Sequence, residues 1–238
     1  MGIRLNRFVS ASGICSRRAA DQLIQQGRIC VNGCIINTLG HRVQPDDVVT
    51  YDNRVLACEP FVYLLFNKPK DCVTTAYDPQ GRTTVFDVLR YTKHRLYSVG
   101  RLDRNTTGLL LLTNDGMLAS TLAHPSRGVS KTYRAVLDKP MRSEVCRHIQ
   151  SGVQLEDGPL RVSNMMVTNP SGREVVVTLH VGRNRVVRRL FEHFMYRVVS
   201  LDRIGYAHLT KKGLAYARWR HLTSQEVSEL RALSSDVG

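Results

Sequence analysis

The chain has 238 residues, which is enough for one large domain or for a small and a medium domain that each bury a core. Its formal net charge of +14 is far from the balance of an ordinary cytosolic enzyme and points toward a polyanionic partner. An anionic membrane surface is the competing partner, but no apolar run approaches a spanning helix and no signal-peptide pattern opens the chain, so nucleic acid is favoured.

The cysteines do not have the spacing of a metal site. Cys30 and Cys34 form a close pair, but no second pair or histidine cluster completes four ligands. We therefore expect no metal, and we expect the thiols to behave as small apolar side chains in a reducing cytoplasm. The six cysteines are Cys15, Cys30, Cys34, Cys58, Cys72 and Cys146.

The first sixty residues read as two short helices followed by strands. Apolar residues from Ile3 to Val9 are spaced for a helix face, and Ser16 can cap a second helix that ends at Gly27. The dipeptide Asn32-Gly33 between two apolar runs predicts a tight hairpin. A further strand is predicted over residues 48–51.

Basic residues dominate this segment, with six arginines against the single acid Asp21 up to Pro45. Any one of them is more often a solvated side chain than a ligand, but four lie near the predicted helix starts, where helix N-termini also attract phosphates. Residues 16–20, 27–29 and 31–33 together resemble an S4 domain, which implies docking on structured RNA. The expected RNA contacts here are Arg4, Arg7, Arg17, Arg18 and Arg28, in a domain of residues 1–58 with a linker at about 52–60.

Beyond residue 60 the pattern mixes strands with helices. Strands are predicted over 61–66, 95–99, 109–112, 131–136, 161–168 and 174–180. Helices are predicted over 85–89, 117–122, 143–150, from within the segment 182–191, and from Glu226 onward. Residues 152–157 are expected to form a turn region.

The segment from Gly100 to Asp115 stands out within this larger part. Its four consecutive leucines predict a strand buried on both faces, and Asp103 lies in the loop just before that strand. Arg101 and Arg104 flank the carboxylate and could keep it ionised. On local chemistry alone, an ion pair that orders the loop is a more ordinary use of this aspartate than catalysis.

This segment resembles the signature of the RNA pseudouridine synthases, in particular the branch typified by RsuA and RluB. The resemblance lies in Gly100-Arg101-Leu102-Asp103, followed by Thr107-Gly108-Leu109-Leu110. The resemblance implies that Asp103 is the essential catalytic residue. It also implies that Asn67-Lys68-Pro69 opens the catalytic domain, which we place at residues 61–238.

Two further site residues follow from the same resemblance. Tyr133, in Lys131-Thr132-Tyr133, is implied to pack against the target uracil, and Arg188 is implied to pair with the Asp103 carboxylate. The chain departs from the family pattern at Val181, which replaces an acid, and at Val186, which replaces a glutamine. The other RNA contacts expected in this domain are Arg101, Arg104, Arg183, Asn184, Arg185 and Arg189, within a second basic segment of eleven cationic and three acidic residues over 173–220.

The resemblance implies an α+β fold in which a small S4-like module precedes a catalytic domain built on a mixed, mostly antiparallel β-sheet flanked by helices. The implied reaction is isomerisation of a flipped-out uridine of ribosomal RNA to pseudouridine, with Asp103 as nucleophile or as base. Arg104 would fill the gap in the helix or hold the backbone. We expect no cofactor, no metal and no membrane association, a monomer, and ribosomal RNA or a ribosomal subunit precursor as partner.

Several alternatives stay open at this point. The large-subunit 23S RNA is the expected target, but small-subunit 16S RNA is an alternative. A non-catalytic ribosome-assembly factor would share every basic segment, although it would have no need for the set Asp103, Tyr133 and Arg188. A glycosidase of sugars is weaker, because it requires paired carboxylates.

Overall fold

The computed structural model describes residues 2–235, which divide into two compact units. The first unit holds the chain up to Val62 together with Thr92–Arg95, and the second holds Tyr63–Tyr91 and the residues from Leu96 onward. None of the helices in the described part of the chain is long and apolar enough to cross a membrane.

The first unit packs two helices against short strands. Its elements are β1 (Ile3–Arg4), α1 (Leu5–Ala11), α2 (Arg17–Gln25), β2 (Ile29–Val31), β3 (Cys34–Ile35), β4 (Arg42–Val43), β5 (Val49–Tyr51) and β6 (Arg54–Val55). The Ser16 hydroxyl accepts a bond from the Ala19 amide, so the predicted cap is confirmed. Leu5, Val9 and Ile24 are buried in the core that the helices share with β2, β4 and β5.

Two details of the first unit differ from the sequence prediction. Ile3 is not helical but extends as β1, where it pairs with Val43 of β4. The segment at 52–60 is not wholly a linker, because β6 pairs with β5 across a turn at Asp52 and Asn53. Both turn residues have positive φ, which aspartate and asparagine tolerate better than other side chains with a β-carbon.

The second unit is built on one large sheet with helices packed on it. Its elements are β7 (Tyr63–Lys68), α3 (Val85–Leu89), β8 (Tyr97–Ser98), β9 (Thr106–Thr113), α4 (Gly116–Ala123), β10 (Lys131–Leu137), α5 (Ser143–Ser151), β11 (Val153–Leu155), β12 (Gly158–Leu160), β13 (Val162–Val167), β14 (Glu174–Leu179), α6 (Val186–His193), β15 (Val198–Tyr206), β16 (Leu209–Thr210), β17 (Trp219–His221) and α7 (Ser224–Ser235).

The strand order is β13-β14-β10-β15-β9-β7-β17, with β16 paired to β15 and β8 paired to β9. Of these pairs, β9 with β15 is parallel and the others are antiparallel. The predicted mixed, mostly antiparallel sheet is therefore confirmed. The parallel pair lies at the centre and brings Thr106, Thr107 and Gly108 beside Leu201, Asp202 and Arg203.

Two cores support the halves of this sheet. One is formed by β10, β14 and β15 with α5 and α6, and it buries Leu190 and Phe191 completely. The other is formed by β7 and β9 with α4 and α7, and it buries Leu109 and Leu111 completely. Burial of apolar side chains at about 25 cal/mol per Å² makes these cores the main stabilising term of the unit. The sheet centre between them is thus a rigid support for the loops at its ends.

Two predictions for the second unit need correction. Residues 152–157 do not form a simple turn, because β11 and β12 pair as a hairpin with Val153 opposite Leu160. Strands of three residues are too short to show a periodicity, which is why the pattern was hidden. The first strand of this unit runs from Tyr63 to Lys68, so it begins and ends two residues later than the predicted strand over 61–66.

Candidate active site

The loop that carries Asp103 is held by a buried ammonium group. Lys68, at the end of β7, has no exposed surface, and its Nζ donates to the carbonyl oxygens of Asp103 and Arg104 at 3.2 Å and of Thr106 at 2.9 Å. A fourth bond goes to the Pro69 carbonyl at 3.0 Å. Burial lowers the pKa of Lys68, and these oxygens take the place of water around its charge.

Two neighbouring segments brace the same loop. The Thr74 hydroxyl donates to the Leu102 carbonyl at 2.8 Å and accepts from the Leu102 amide at 3.3 Å. The Asp71 amide donates to the Arg104 carbonyl at 3.0 Å. Leu102 is buried whereas Asp103 is half-buried, so the loop is anchored from below while its carboxylate stays within reach of the cleft.

Asp103 lies in the wall of a cleft of about 760 Å³. The wall is formed by residues of three loops, 73–82, 99–106 and 181–187, and by residues of β10 and β15. Seven cationic side chains line it against two acids. They are Arg82, Arg101, Arg104, Lys131, Arg183, Arg185 and Arg203, and the acids are Asp78 and Asp103. This charge balance attracts an anionic ligand such as a nucleic-acid backbone.

Of the two acids, Asp103 is the one without a salt bridge in the described residues. Asp78 is bound by Arg82 at 2.6 Å, and bonds from the Arg82 guanidinium and amide lower the pKa of Asp78 to about 2. Its side chain is 5% exposed, so this ion pair orders the loop and leaves no free second carboxylate in the cleft.

Tyr133 lies in the same cleft, half-buried on β10 and opposite Arg203 of β15. A register shift between Thr132 and Tyr133 interrupts the ladder at this point. The extra residue is Ile204 of β15, because β10 stays in continuous register with β14. A bulge of this kind is often found next to a binding site. Tyr133 and Asp103 therefore line the same cleft.

The predicted direct pairing of Arg188 with Asp103 is not present in this structure. The Arg188 guanidinium donates to the Val198 carbonyl at 3.0 Å, and the described residues contain no ion pair within 4.0 Å between it and Asp103. Burial is the largest effect on the pKa of Arg188 and lowers it, Arg185 lowers it further, and attraction to Asp103 opposes both. The Nη1 of Arg188 is thus held by the backbone of β15, and the direct pairing that the resemblance implies is replaced by this bond.

Three cations of the 183–189 segment are also engaged inside the protein. Arg183 and Arg189 both bind the Asp157 carboxylate in the β11–β12 turn, and Arg183 donates further to carbonyls of that turn. Arg185 pairs at 3.8 Å with Glu192. Arg183 and Arg189 therefore clamp the hairpin to the loop before α6, and their predicted contact with RNA would have to share or displace Asp157.

Comparison with known proteins agrees with this geometry. A family model described as RNA pseudouridylate synthase matches residues 62–193, which is more than half of the chain. A second, described as S4 domain, matches residues 3–49.

The chain belongs to the RNA pseudouridylate synthase family.

Individual relatives cover nearly the whole chain. Ribosomal large subunit pseudouridine synthase B of Bacillus subtilis is 37% identical over 97% of this chain and 96% of the relative. Dual-specificity RNA pseudouridine synthase RluF of Escherichia coli K12 is 34% identical over 96% of this chain and 78% of the relative. A crystal structure of a pseudouridylate synthase superposes with a TM-score of 0.68 at 27% identity, over 96% of this chain and 99% of that one. The predicted fold and the RsuA and RluB branch are confirmed.

The S4 unit has its own basic pocket of about 280 Å³, lined by Arg4, Arg7, Arg17 and Arg42. Arg42 was not among the predicted RNA contacts, and its guanidinium donates to the Gly2 carbonyl at 2.8 Å. Arg18 lies outside this pocket on the exposed start of α2. Arg28 forms an ion pair with Asp52 and lies over the Tyr51 ring. Arg4, Arg7 and Arg17 thus share one site, whereas Arg18 and Arg28 stand apart from it.

In this synthase, the sequence did not reveal the residues whose side chains bond to backbone carbonyls or to side chains far along the chain. Lys68 lies just beyond the predicted strand over 61–66. Two polar residues that directly continue a buried apolar strand are a signal that their side chains are buried with it. Asp157 and Arg203 gave no signal of their own. Among the described residues, no group of three or more His, Cys, Asp or Glu side chains could hold a metal ion.

We expect Lys68→Met to reduce both stability and activity. The substitution leaves buried carbonyls without a donor, which should lower the free energy of unfolding by about 3 kcal/mol. The freed Asp103 loop should lower the turnover rate by about 10²-fold, the usual cost of a misplaced reactive group. Denaturant unfolding and single-turnover kinetics measure the two effects. Lys70→Met, at the exposed neighbouring lysine, is the control and should behave like the parent protein.

Proposed function

We propose that this protein converts a uridine of large-subunit ribosomal RNA to pseudouridine. The observation that carries the proposal is the unpaired, half-buried Asp103 carboxylate on a braced loop in the cationic cleft. The similarity to ribosomal large subunit pseudouridine synthase B of Bacillus subtilis, over nearly the full length of both chains, supports the large subunit as target. The 16S RNA of the small subunit is the alternative target.

Each site residue has a role in this proposal. Asp103 is the reactive group, which attacks the ribose carbon C1′ or removes a neighbouring sugar proton so that the bond from C1′ to N1 breaks. Tyr133 packs against the uracil that has been turned out of the RNA helix. Arg188 and Asp103 attract each other without a direct ion pair, and Arg101 and Arg104 lie exposed at the cleft where an RNA backbone would pass.

Two rival functions are disfavoured by particular observations. A glycosidase of sugars needs two carboxyl groups flanking the bond, but Asp78, the second acid of the cleft, is tied to Arg82. A binding-only assembly factor would gain nothing from a buried lysine whose donors hold the Asp103 loop in place. Burying an ammonium group is costly, so its use here favours a loop whose geometry matters.

The S4 unit is proposed to dock on ribosomal RNA or on a ribosomal subunit precursor. This assigns docking to residues 1–58 and chemistry to residues 61–238. A monomer in the cytoplasm is the working form in this proposal. Arg4, Arg7 and Arg17 line one pocket of the S4 unit and are the phosphate contacts that we place there.

We expect the double variant Arg7→Gln and Arg17→Gln to weaken RNA binding in a salt-dependent way. Each lost phosphate contact should reduce the slope of log affinity against log salt concentration by about 0.7 to 0.9, so the slope should fall by about 1.4 to 1.8. Arg28→Gln is the control, because Arg28 is paired with Asp52 and should leave the slope nearly unchanged. An unaltered slope in the double variant would remove this pocket from the RNA interface.

The reaction itself is tested with purified protein and ribosomal RNA labelled with tritium at C5 of uridine. Formation of the bond from C5 to the ribose releases that tritium into water, whichever route Asp103 takes. We expect release from 23S RNA and much less from 16S RNA. Release from 16S RNA alone would correct the target, and no release from free RNA or from subunit precursors would favour the binding-only function.

A further inference from the structure

Two cations in the cleft have no anionic partner and no task in the proposal above. Arg203 is 2% exposed, its Nε donates to the Leu109 carbonyl at 2.7 Å, and its Nη2 is buried without an acceptor. Lys131 donates to the Val129 carbonyl at 2.8 Å, which occupies one of its three N–H groups. Neither side chain has a carboxylate within 4.0 Å in the described part of the chain. Buried charges are normally paired, so this pair is an exception that calls for a ligand.

The strand register places both cations beside Tyr133. Lys131 and Tyr133 are two positions apart on β10 and so point to the same side of the sheet, toward the cleft that both line. Lys131 is opposite Tyr206, and Tyr133 is opposite Arg203. The Lys131 Nζ lies 5.9 Å and the Arg203 Cζ 5.1 Å from the centre of the same Tyr206 ring. The two charges therefore form one group within the cleft.

The exposure of the pair differs from that of the other cations of the cleft. Arg203 and Tyr206 are buried, and Lys131 is half-buried. Arg101, Arg104 and Arg185 are exposed and can meet an RNA backbone at the surface. Burial and the neighbouring Arg203 lower the pKa of Lys131 to about 8, which shows how little negative charge the protein supplies there. The missing anion is therefore expected beside Tyr133, between the half-buried Lys131 and the buried Arg203.

The proposed reaction generates a negative charge at that place. When the bond from C1′ to N1 breaks, its electron pair stays with the ring, whether Asp103 attacks C1′ or removes a sugar proton. The detached uracil is then an anion whose charge is shared by N1 and the carbonyl oxygens O2 and O4. The ring later forms the bond from C5 to C1′. This bond displaces the Asp103 carboxylate from C1′ on the first route, and on the second route it is accompanied by return of the sugar proton from Asp103. The proton lost from C5 is balanced by the proton gained at N1. The isomerisation therefore needs no co-reactant.

We propose that Lys131, supported by Arg203, binds a carbonyl oxygen of the target uracil and stabilises the negative charge on the ring after its bond to the ribose breaks. This inference rests on the proposed function. Donors fixed where charge develops act in the transition state more than in the bound substrate, so they raise the turnover rate with little effect on KM. Lys131 is a catalytic residue in this mechanism, and Arg203 is a positioning residue behind it.

The first test compares Lys131→Met and Lys131→Arg in single-turnover kinetics with 23S RNA. We expect Lys131→Met to lower the turnover rate by about 10²-fold with little change in KM, the cost typical of one lost donor to developing charge. Lys131→Arg keeps the charge and should recover most of the rate. Lys139→Met is the matched control, because Lys139 lies over the Tyr196 ring outside the cleft. A raised KM with an unchanged turnover rate would show a phosphate contact instead and overturn the proposal.

The second test changes the leaving group. Fluorine at C5 withdraws electrons, so a 5-fluorouracil ring carries the negative charge more easily and depends less on Lys131. Consumption of the target nucleoside is measured by digestion and mass spectrometry for RNA that contains uridine or 5-fluorouridine. The rate loss caused by Lys131→Met should be smaller by about fivefold or more on the fluorinated RNA. Circular dichroism first establishes that the Lys131→Met protein is folded. An equal rate loss on both RNAs in the folded variant would overturn the proposal.

Failure of the proposed function and failure of the proposed role of Lys131 give different results. If the parent protein releases no tritium from any ribosomal RNA, the proposed function fails before Lys131 is tested. If the parent protein is active and Lys131→Met is equally active, the proposed function stands and the role of Lys131 is refuted.

Discussion

Asp103→Asn is expected to lower pseudouridine formation by about 10⁴-fold or more, which is the size of effect seen when a reactive acid, base or nucleophile is removed. Asparagine has nearly the same shape, and the structure holds this loop through its main-chain carbonyls and not through the Asp103 carboxylate. The fold and the affinity for RNA should therefore stay close to those of the parent protein. Tritium release measures the first effect, and filter binding measures the second.

Asp71→Asn provides the matched control for that experiment. Asp71 is exposed, pairs with Arg104 at 3.4 Å, and braces the same loop through its amide, which the substitution keeps. We expect its turnover to stay within about threefold of the parent, because exposed ion pairs contribute little. Equal, large losses in both variants would mean that general electrostatics of the loop, and not the reactivity of Asp103, supports the reaction.

Gly108→Ala is expected to have the largest effect on stability. Gly108 has a φ of +108°, and a β-carbon at this position would lie 2.3 Å from the carbonyl oxygen and 2.6 Å from the amide nitrogen of Arg203. Those atoms belong to β15, the parallel neighbour of β9, so they cannot move without separating the two central strands. Backbone strain and this clash together should cost about 4 kcal/mol or more in the free energy of unfolding. Denaturant unfolding followed by circular dichroism measures the loss.

Gly213→Ala separates the two causes. Gly213 also has a positive φ, +71°, but no atom lies within 4 Å of the added β-carbon. It should lose about 1 kcal/mol from backbone strain alone. Comparable losses at both positions would contradict the close approach of β9 and β15 as the source of the difference.

The parts of the fold that the sequence predicts well are those determined by neighbours along the chain. The hairpin at Asn32-Gly33 forms with φ values of 52° and 81°, which those two residue types accept. The leucine run at 109–112 is completely buried, as an apolar run without polar interruption requires. In both cases, the deciding interactions lie within a few residues.

The elements that the sequence did not predict are short or are held by distant residues. The hairpins at 54–55 and 153–160 have strands of two or three residues, so no periodicity can develop. Asp157 is tied to Arg183 and Arg189 across more than twenty residues of chain, and no local pattern encodes that pairing.

The sequence motifs predicted which residues lie near one another in the candidate site, but they did not predict the hydrogen bonds that these residues make. Family motifs placed Asp103 and Tyr133 in one site, and the structure puts both in the same cleft. They could not show that Lys68 holds the loop, because its partners are backbone carbonyls that leave no trace in residue identity. Nor could they show that Arg188 donates to the Val198 carbonyl instead of pairing with Asp103.

The central claim is that the Asp103 carboxylate isomerises a uridine of large-subunit RNA. It is tested most directly by mapping pseudouridines at single-nucleotide resolution in ribosomal RNA from cells that lack this protein and carry either the parent gene or the Asp103→Asn gene. We predict that a pseudouridine in 23S RNA disappears without the protein, returns with the parent gene, and does not return with Asp103→Asn at equal protein levels. Return of that pseudouridine with Asp103→Asn, or an unchanged map without the protein, would contradict the claim.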